Sequence, residues 1–234
     1  MFAAVAGAMT SVAQYESHHP RRGLALAIGT AAVLPLSFAR TFVNWRTHIR
    51  KETLHDLAGC LHTLLAVLTF AAQAVYEAEH DDDDDAPPFV DPRIRITVLI
   101  PVNNGRDLEQ VLDYVGDARG GKTAGRVFPA QSGIAGRAFR EKVPWRATRS
   151  ESEYGSYVQE LIRRWQYTEQ DAKSRDQEAR SWMAIPLVDE STRRVEAIVY
   201  LDGVTENLFF SNLISDLAQH ACAGIALYAT LRYD

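Results

Sequence analysis

Aromatic and basic side chains concentrate between Val143 and Trp182, and they are the residues of this chain best suited to hold a ligand. Aromatic faces and guanidinium forks suit a planar or phosphorylated molecule, for example a nucleotide-type second messenger. In the alternative interpretation, Trp165 and Trp182 are core residues and Arg146 is solvated. The candidate ligand-binding residues, two of which precede this segment, are Phe128, Arg137, Trp145, Arg146, Trp165, Tyr167 and Trp182. We expect Lys173 to Arg180, in contrast, to form a solvated helix or loop.

Nothing in the chain has the residue pattern of a catalytic or metal site. The sequence contains no nucleophile–base pair, phosphate-binding loop or set of metal ligands at a characteristic spacing, so we expect neither enzymatic activity nor a cofactor. His55-Asp56 is similar to the phosphoacceptor site of sensor kinases, but no ATP-binding domain follows it. Asp81 to Asp85 lack the spaced ligands and the glycine of a calcium loop. Cys60 and Cys222 are far apart in apolar stretches, and we interpret both as small buried hydrophobic residues.

The overall charge argues against a nucleic-acid partner. The formal charge is −5 and no basic cluster is present. Nearly half of the residues are hydrophobic, which is enough for a core. We therefore expect no nucleic-acid partner, and the aromatic and basic residues described above favour a small molecule instead.

Two short segments indicate how the candidate residues are positioned. Gly133 to Phe139 is typical of a glycine-hinged turn that enters a helix, whose first N–H groups are available to an anion or a carbonyl. Ser181 to Leu187 is typical of a buried strand, and Pro186 predicts that this strand lies at an edge or breaks there.

The N-terminal residues 1–50 predict a membrane segment. Residues 23–39 carry no charge, and these 17 residues would span about 26 Å as a helix, against a hydrocarbon core of about 30 Å. The uncharged residues up to Tyr15 could add a second leg and so form a two-helix hairpin. Arg40, Arg46, Arg50 and Lys51 follow the span and two arginines precede it, which favours a cytoplasmic C-terminal portion at the inner membrane. A cleaved export signal is the alternative interpretation.

Residues 51–80 predict a long helix, and residues 81–92 an acidic, proline-containing linker. Apolar residues recur at spacings of three and four, which is typical of a coiled-coil seam and favours a homodimer or a higher homo-oligomer. An amphipathic helix packed on its own domain is the alternative. The seam comprises Leu54, Leu57, Leu61, Leu64, Leu68, Ala71, Val75 and Ala78.

Residues 93–234 predict an α+β domain. Strands are expected near 93–100, 108–115, 126–128, 182–188 and 195–202, with a helix over 154–166. The last two strands should form an antiparallel pair. A closing helix over 207–231 carries Phe210, Leu213, Leu217 and His220 at the same three-four spacing, and it should lie beside the first helix.

Four motifs in this order resemble the GAF domain family over roughly 54–231. They are Arg126 to Phe128, Gly133 to Ala138, Ser181 to Leu187 and Ala197 to Asp202. The resemblance implies an antiparallel sheet of about six strands with helices on one face, and a ligand pocket on the other face roofed by the middle segment. Cys222 does not match the bilin-attachment position of the family, and His220 is interpreted as a bundle residue rather than a haem ligand.

The resemblance and the membrane segment together predict a membrane-anchored sensor. Ligand binding would shift the first and last helices and, through them, the membrane helix, in one version as a membrane effector in bacterial defence or stress. In the alternative, the protein is a tethered regulatory subunit that recruits a separate signalling enzyme.

Overall fold

The computed structural model describes residues 56–77, 79–80, 87–116, 121–173, 175–189 and 191–233. The predicted membrane segments, Leu54, Ala78 and the acidic run Asp81 to Asp85 lie outside them. The helices are α1 (Asp56–Glu77), α2 (Gly133–Glu141), α3 (Tyr154–Trp165), α4 (Glu169–Lys173) and α5 (Asn212–Tyr233). The strands are β1 (Arg95–Val102), β2 (Asp107–Gln110), β3 (Val127–Pro129), β4 (Trp145–Thr148), β5 (Ser181–Val188) and β6 (Val195–Gly203).

The strands form one six-stranded antiparallel sheet in the order β3-β2-β1-β6-β5-β4. The predicted α+β class and the antiparallel pairing of β5 with β6 are confirmed. β4, which we did not predict, pairs with β5 from Ser181 to Ala184 only. Pro186 lies beyond that pairing, so its missing N–H falls where β5 is locally an edge strand, as expected.

Helices cover both faces of the sheet, which corrects the prediction of helices on one face. Successive side chains of β6 point to opposite sides: Val199 and Leu201 join the cluster with α1 and α5, whereas Ile198 and Tyr200 join the cluster with α2 and α3. α2 and α3 pack on this second side of the sheet because each helix has an apolar stripe that must be buried.

The seam of α1 is buried within the chain itself. Leu61, Leu64, Leu68 and Ala71 are all buried in the cluster shared with the sheet and α5. The ordinary amphipathic helix therefore accounts for the three-four spacing, and the seam requires no second subunit. α1 is the one helix in the described part of the chain long and apolar enough to span a membrane, and one of its sides packs in the core cluster.

The first and last helices share this cluster, as predicted, but α5 uses a different stripe. Among its residues up to Ala223, the buried ones are Ile214, Ser215, Ala218 and Cys222, whereas Leu213 and His220 are exposed. The buried stripe begins one residue after the predicted one, at Ile214 instead of Leu213. Two apolar stripes are adjacent on this helix, and contact with the sheet determines which of them is buried. The described residues from Asp56 onwards belong to one compact unit.

Candidate functional site

A small cavity lies on the face of the sheet that packs against α2 and α3. The segments that follow β3 and α4 cover it. Its free volume is about 20 Å³, which is room for one water, whereas pockets that enclose ligands usually measure about 300–1,000 Å³. The cavity is therefore too small for such a ligand in this structure, and a larger ligand requires the lining residues to move. The lining residues are Leu99, Leu108, Tyr114, Phe128, Ser132, Ala135, Tyr167, Arg175 and Tyr200.

Two glycines at the start of α2 allow other groups to approach closely. Gly133 has φ +72°, and a Cβ there would lie 2.0 Å from the hydroxyl oxygen of Tyr167. A Cβ on Gly136 would lie 2.6 Å from the carbonyl oxygen of Ala130. The tight approach expected from the sequence is confirmed, and at Gly133 it brings Tyr167 against the cavity.

The N-terminus of α2 borders the cavity through Ser132 and Ala135. The Ser132 side chain makes no capping hydrogen bond, and its hydroxyl instead donates to the carbonyl oxygen of Gln166 at 2.9 Å. The first N–H groups of a helix lack intrahelical acceptors and carry a partial positive charge. This end of the cavity therefore favours a negatively charged or carbonyl group.

Arg175 supplies a half-buried cation whose Nε atom is fully buried. Its guanidinium carbon lies 4.9 Å from the ring centroid of Phe128 and 4.4 Å from that of Tyr167, so the group sits against two aromatic rings. Its Nε atom is buried and has no hydrogen-bond partner in the described part of the chain. An arginine remains charged even when buried, so a donor that carries positive charge is left without an acceptor.

Tyrosine hydroxyls provide further polar groups. Burial raises the pKa of both Tyr114 and Tyr200 well above the ordinary tyrosine range. Both therefore stay protonated at physiological pH and can donate hydrogen bonds. The cavity thus combines apolar walls with several donors.

Ion pairs hold the segment that carries Arg175. Arg95 on β1 pairs with Asp176 at 2.7 Å and donates two hydrogen bonds to the Asp202 carboxylate, at 2.7 and 2.9 Å. Arg149 is buried and donates to the carbonyl oxygen of Gln177 at 3.0 Å. The residues after Arg175 are therefore fastened to β1 and to the segment after β4, which keeps the cavity covered.

Two of the seven predicted ligand-binding residues line the cavity. Phe128 on β3 and Tyr167 after α3 both contact the guanidinium group of Arg175. Arg137 and Trp145 instead form a surface pair, with the guanidinium carbon 3.5 Å from the indole centroid, and Glu141 bonds to both.

The other three predicted residues have structural roles elsewhere. Trp165 is buried in the α2–α3 cluster, and Trp182 stacks on Tyr157 with 5.8 Å between the ring centroids. Arg146 is exposed and donates to the carbonyl oxygen of Phe209. These positions agree with the alternative interpretation, in which the two tryptophans are core residues and Arg146 is solvated.

Sequence reasoning missed Arg175. We predicted that Lys173 to Arg180 is solvated, and this is wrong for Arg175, whose Nε is buried. The residue lies in a charged run, Lys173 to Arg180, in which composition does not single it out. Only the fold reveals that Arg175, two residues after the end of α4, packs against Phe128 of β3 and Tyr167.

Comparisons with known proteins yield solved structures only. No protein-family model matches the sequence, and no curated protein does. Among solved structures, a GAF domain of a phosphoenolpyruvate-protein phosphotransferase from Coxiella burnetii is 10% identical, with a TM-score of 0.43 over 75% of this chain and 97% of that one. The nlh2 GAF domain of A. aeolicus in an inactive state is 11% identical, with a TM-score of 0.42 over 74% and 95%. The second GAF domain of DevS from Mycobacterium smegmatis is 16% identical, with a TM-score of 0.37 over 72% and 97%. Likeness at such TM-scores is too low to assign a ligand or an activity to this chain.

Proposed function

We propose that this chain is a GAF-type sensor that binds a small molecule in the small cavity beside Arg175. The observation that carries the proposal is the buried Nε–H of Arg175, which has no acceptor in the described part of the chain. An unsatisfied buried donor costs roughly 1–3 kcal/mol, so this group calls for a partner that the described side chains do not supply, such as an ordered water or a ligand. The motif resemblance and the six-stranded antiparallel sheet support the same function.

Binding requires the cover to move, and the sheet offers a route for the signal. Tyr200 lines the cavity, while its neighbours Val199 and Leu201 pack on the opposite face with α1 and α5. A displacement of β6 at Tyr200 therefore changes the packing of both helices. In the proposed protein this movement passes through α1 towards the membrane span over 23–39. The sensing domain then lies in the cytoplasm at the inner membrane, and one form of the output is a membrane effector in bacterial defence or stress.

Exposed apolar residues on α1 favour a second candidate, the tethered regulatory subunit. Phe70 is 74% exposed and Val67 is 42% exposed on the outer side of a helix that is uncharged from Leu57 to Tyr76, apart from one histidine. Such a surface suits recruitment of a separate signalling enzyme by protein–protein contact. If Phe70→Ser abolishes signalling in cells while ligand binding to the purified protein stays unchanged, this candidate is favoured.

The test of the ligand site is mass spectrometry of small molecules released when the purified full chain is denatured. Ala135→Leu places a larger side chain in the cavity, so we expect the wild type to release a compound that this variant lacks. Ala66→Leu, on the exposed side of α1, is the matched control and should release the same compound as the wild type. Equal recovery from the Ala135 variant would contradict the proposed site.

Membrane anchoring is tested separately. Fractionation of cells that express the full chain should place it in the membrane pellet, with release by detergent and not by high salt. Deletion of residues 23–39 should move it to the soluble fraction. Recovery of the intact chain in the soluble fraction would remove the membrane from the proposal and leave the sensor role standing.

A further inference from the structure

We infer that the ligand of this cavity is a small organic monocarboxylate, whose carboxylate group binds the edge of the Arg175 guanidinium. This inference rests on the proposed function, because it assigns a chemical class to the ligand of the same cavity. It differs from the nucleotide-type ligand that the aromatic and basic composition of the chain suggested.

The geometry around Arg175 leaves the edge of its guanidinium for recognition. The rings of Phe128 and Tyr167 lie within 5 Å of the guanidinium carbon, and they occupy the positions where a flat ligand would stack. The buried Nε–H belongs to the in-plane edge of the group. That edge presents parallel N–H bonds whose spacing matches the two oxygens of a carboxylate.

No carboxylate of the described residues forms an ion pair with Arg175, although Asp202 lies near enough to interact with its charge. The carboxylates of Asp176 and Asp202 on adjoining segments pair with Arg95. No ion pair to Arg175 occurs among the residues that the structure describes. An anionic ligand would therefore supply the missing negative charge, and the hydroxyl of Tyr114 and the N-terminus of α2 would add donors.

The composition of the cavity favours one negative charge over two. Arg175 is the single cationic side chain among the lining residues, and Leu99, Leu108 and Phe128 supply apolar walls. A phosphate dianion would carry a charge that one cation leaves uncompensated, which is unfavourable in an apolar site. A monocarboxylate with a small apolar body satisfies both the single cation and the walls.

The test uses the purified full chain in detergent, titrated by calorimetry at constant ionic strength. The probes are sodium acetate, isobutyrate and benzoate, with the amide of each acid as its neutral counterpart and AMP as a phosphate. We expect saturable binding of at least one carboxylate, at least tenfold tighter than its amide and tighter than AMP. Equal binding of acid and amide, tighter binding of AMP, or binding of none of the carboxylates would overturn the assignment.

Three variants connect that preference to one residue. Arg175→Gln should weaken carboxylate binding at least tenfold, and Arg175→Lys, which keeps the charge but loses the fork, should also lose most of it. Arg163→Gln, at an exposed position of α3, is the matched control and should bind as the wild type does. Unchanged thermal unfolding of each variant establishes that the fold is intact; unchanged binding by Arg175→Gln refutes the inference.

The outcomes separate this inference from the proposed function. A neutral or cationic compound that is released by the wild type and lost in Ala135→Leu would leave the sensor role intact and exclude the carboxylate. A compound retained by Ala135→Leu would remove the cavity as the site and both claims with it.

Discussion

Replacement of Gly133 by alanine tests how the cavity is assembled. The backbone there has φ +72°, and a Cβ would lie 2.0 Å from the Tyr167 hydroxyl oxygen and 2.5 Å from the ring carbon that carries it. Alanine in the left-handed region costs roughly 1–2 kcal/mol. Displacement of a packed ring by more than 1 Å adds roughly 1–3 kcal/mol. We therefore expect Gly133→Ala to lower the free energy of unfolding by about 2–5 kcal/mol.

Urea denaturation followed by circular dichroism measures this change, and a double-mutant cycle with Tyr167→Ala separates the two contributions. In the Tyr167→Ala background the steric contribution disappears, so Gly133→Ala should cost only about 1–2 kcal/mol, the backbone part. Gly59→Ala is the control: this helical glycine has nothing within 4 Å of an added Cβ, and we expect stabilisation of up to about 1 kcal/mol. An equal cost of Gly133→Ala in both backgrounds would refute the packing of Tyr167 against α2.

Three further predictions concern the rest of the fold. Leu68→Ala should lower the free energy of unfolding by about 2–5 kcal/mol at any protein concentration, because its side chain is buried. The control Val67→Ala, at an exposed position, should change it little. An unfolding midpoint that depends on protein concentration would indicate that the seam of α1 packs between subunits. Hydrogen bonds from Ser191 and Thr192 lower the pKa of Asp189 to about 2, below the unfolded value of about 3.9. The Asp189 carboxylate therefore stabilises the β5–β6 turn above pH 4, and this stabilisation is lost as the pH falls towards 2. Carboxyl ¹³C NMR measures this pKa, and a value near 4 would contradict the turn. Burial raises the pKa of the Cys222 thiol to about 12, so iodoacetamide at pH 8 should leave it unmodified in the native protein and alkylate it in urea; rapid native alkylation would contradict its place in the core.

Strong local patterns made much of the fold predictable. The apolar runs in 182–188 and 195–202 indicated two strands, and the polar turn between them indicated their antiparallel pairing. The glycines at 133 and 136 indicated close approach, and the structure supplies the atoms that a Cβ would meet. These signals are local, because each depends on residues a few positions apart.

Features that depend on contacts distant in sequence were not predictable. The spacing of Leu61, Leu64 and Leu68 is the same for a coiled coil and for a helix packed on its own sheet, and only the sheet decides between them. The burial of the Arg175 Nε atom also depends on contacts distant in sequence. A charged segment is usually solvated, and this burial arises because α4 ends next to Phe128 and Tyr167, which lie far apart in the chain.

Backbone geometry also separates the candidate residues from one another. Aromatic and basic residue types indicated ligand binding equally for Trp145 and Tyr167. Trp145 lies at the start of β4, where Arg137 stacks on it at the surface, whereas Tyr167 turns into the cavity because Gly133 leaves room for its hydroxyl. Residue type thus identified a set, and backbone geometry selected from it.

The proposed sensor role depends above all on Arg175, whose buried Nε–H is the donor that we propose for the ligand. The most direct test is the ¹H–¹⁵N NMR signal of its Nε–H group, assigned by its loss in Arg175→Lys. We predict a signal that is protected from solvent exchange in the free protein, and that moves downfield and saturates as a bound carboxylate is titrated. A signal that exchanges rapidly with water, or that stays unchanged while the carboxylate binds, would contradict this role of Arg175.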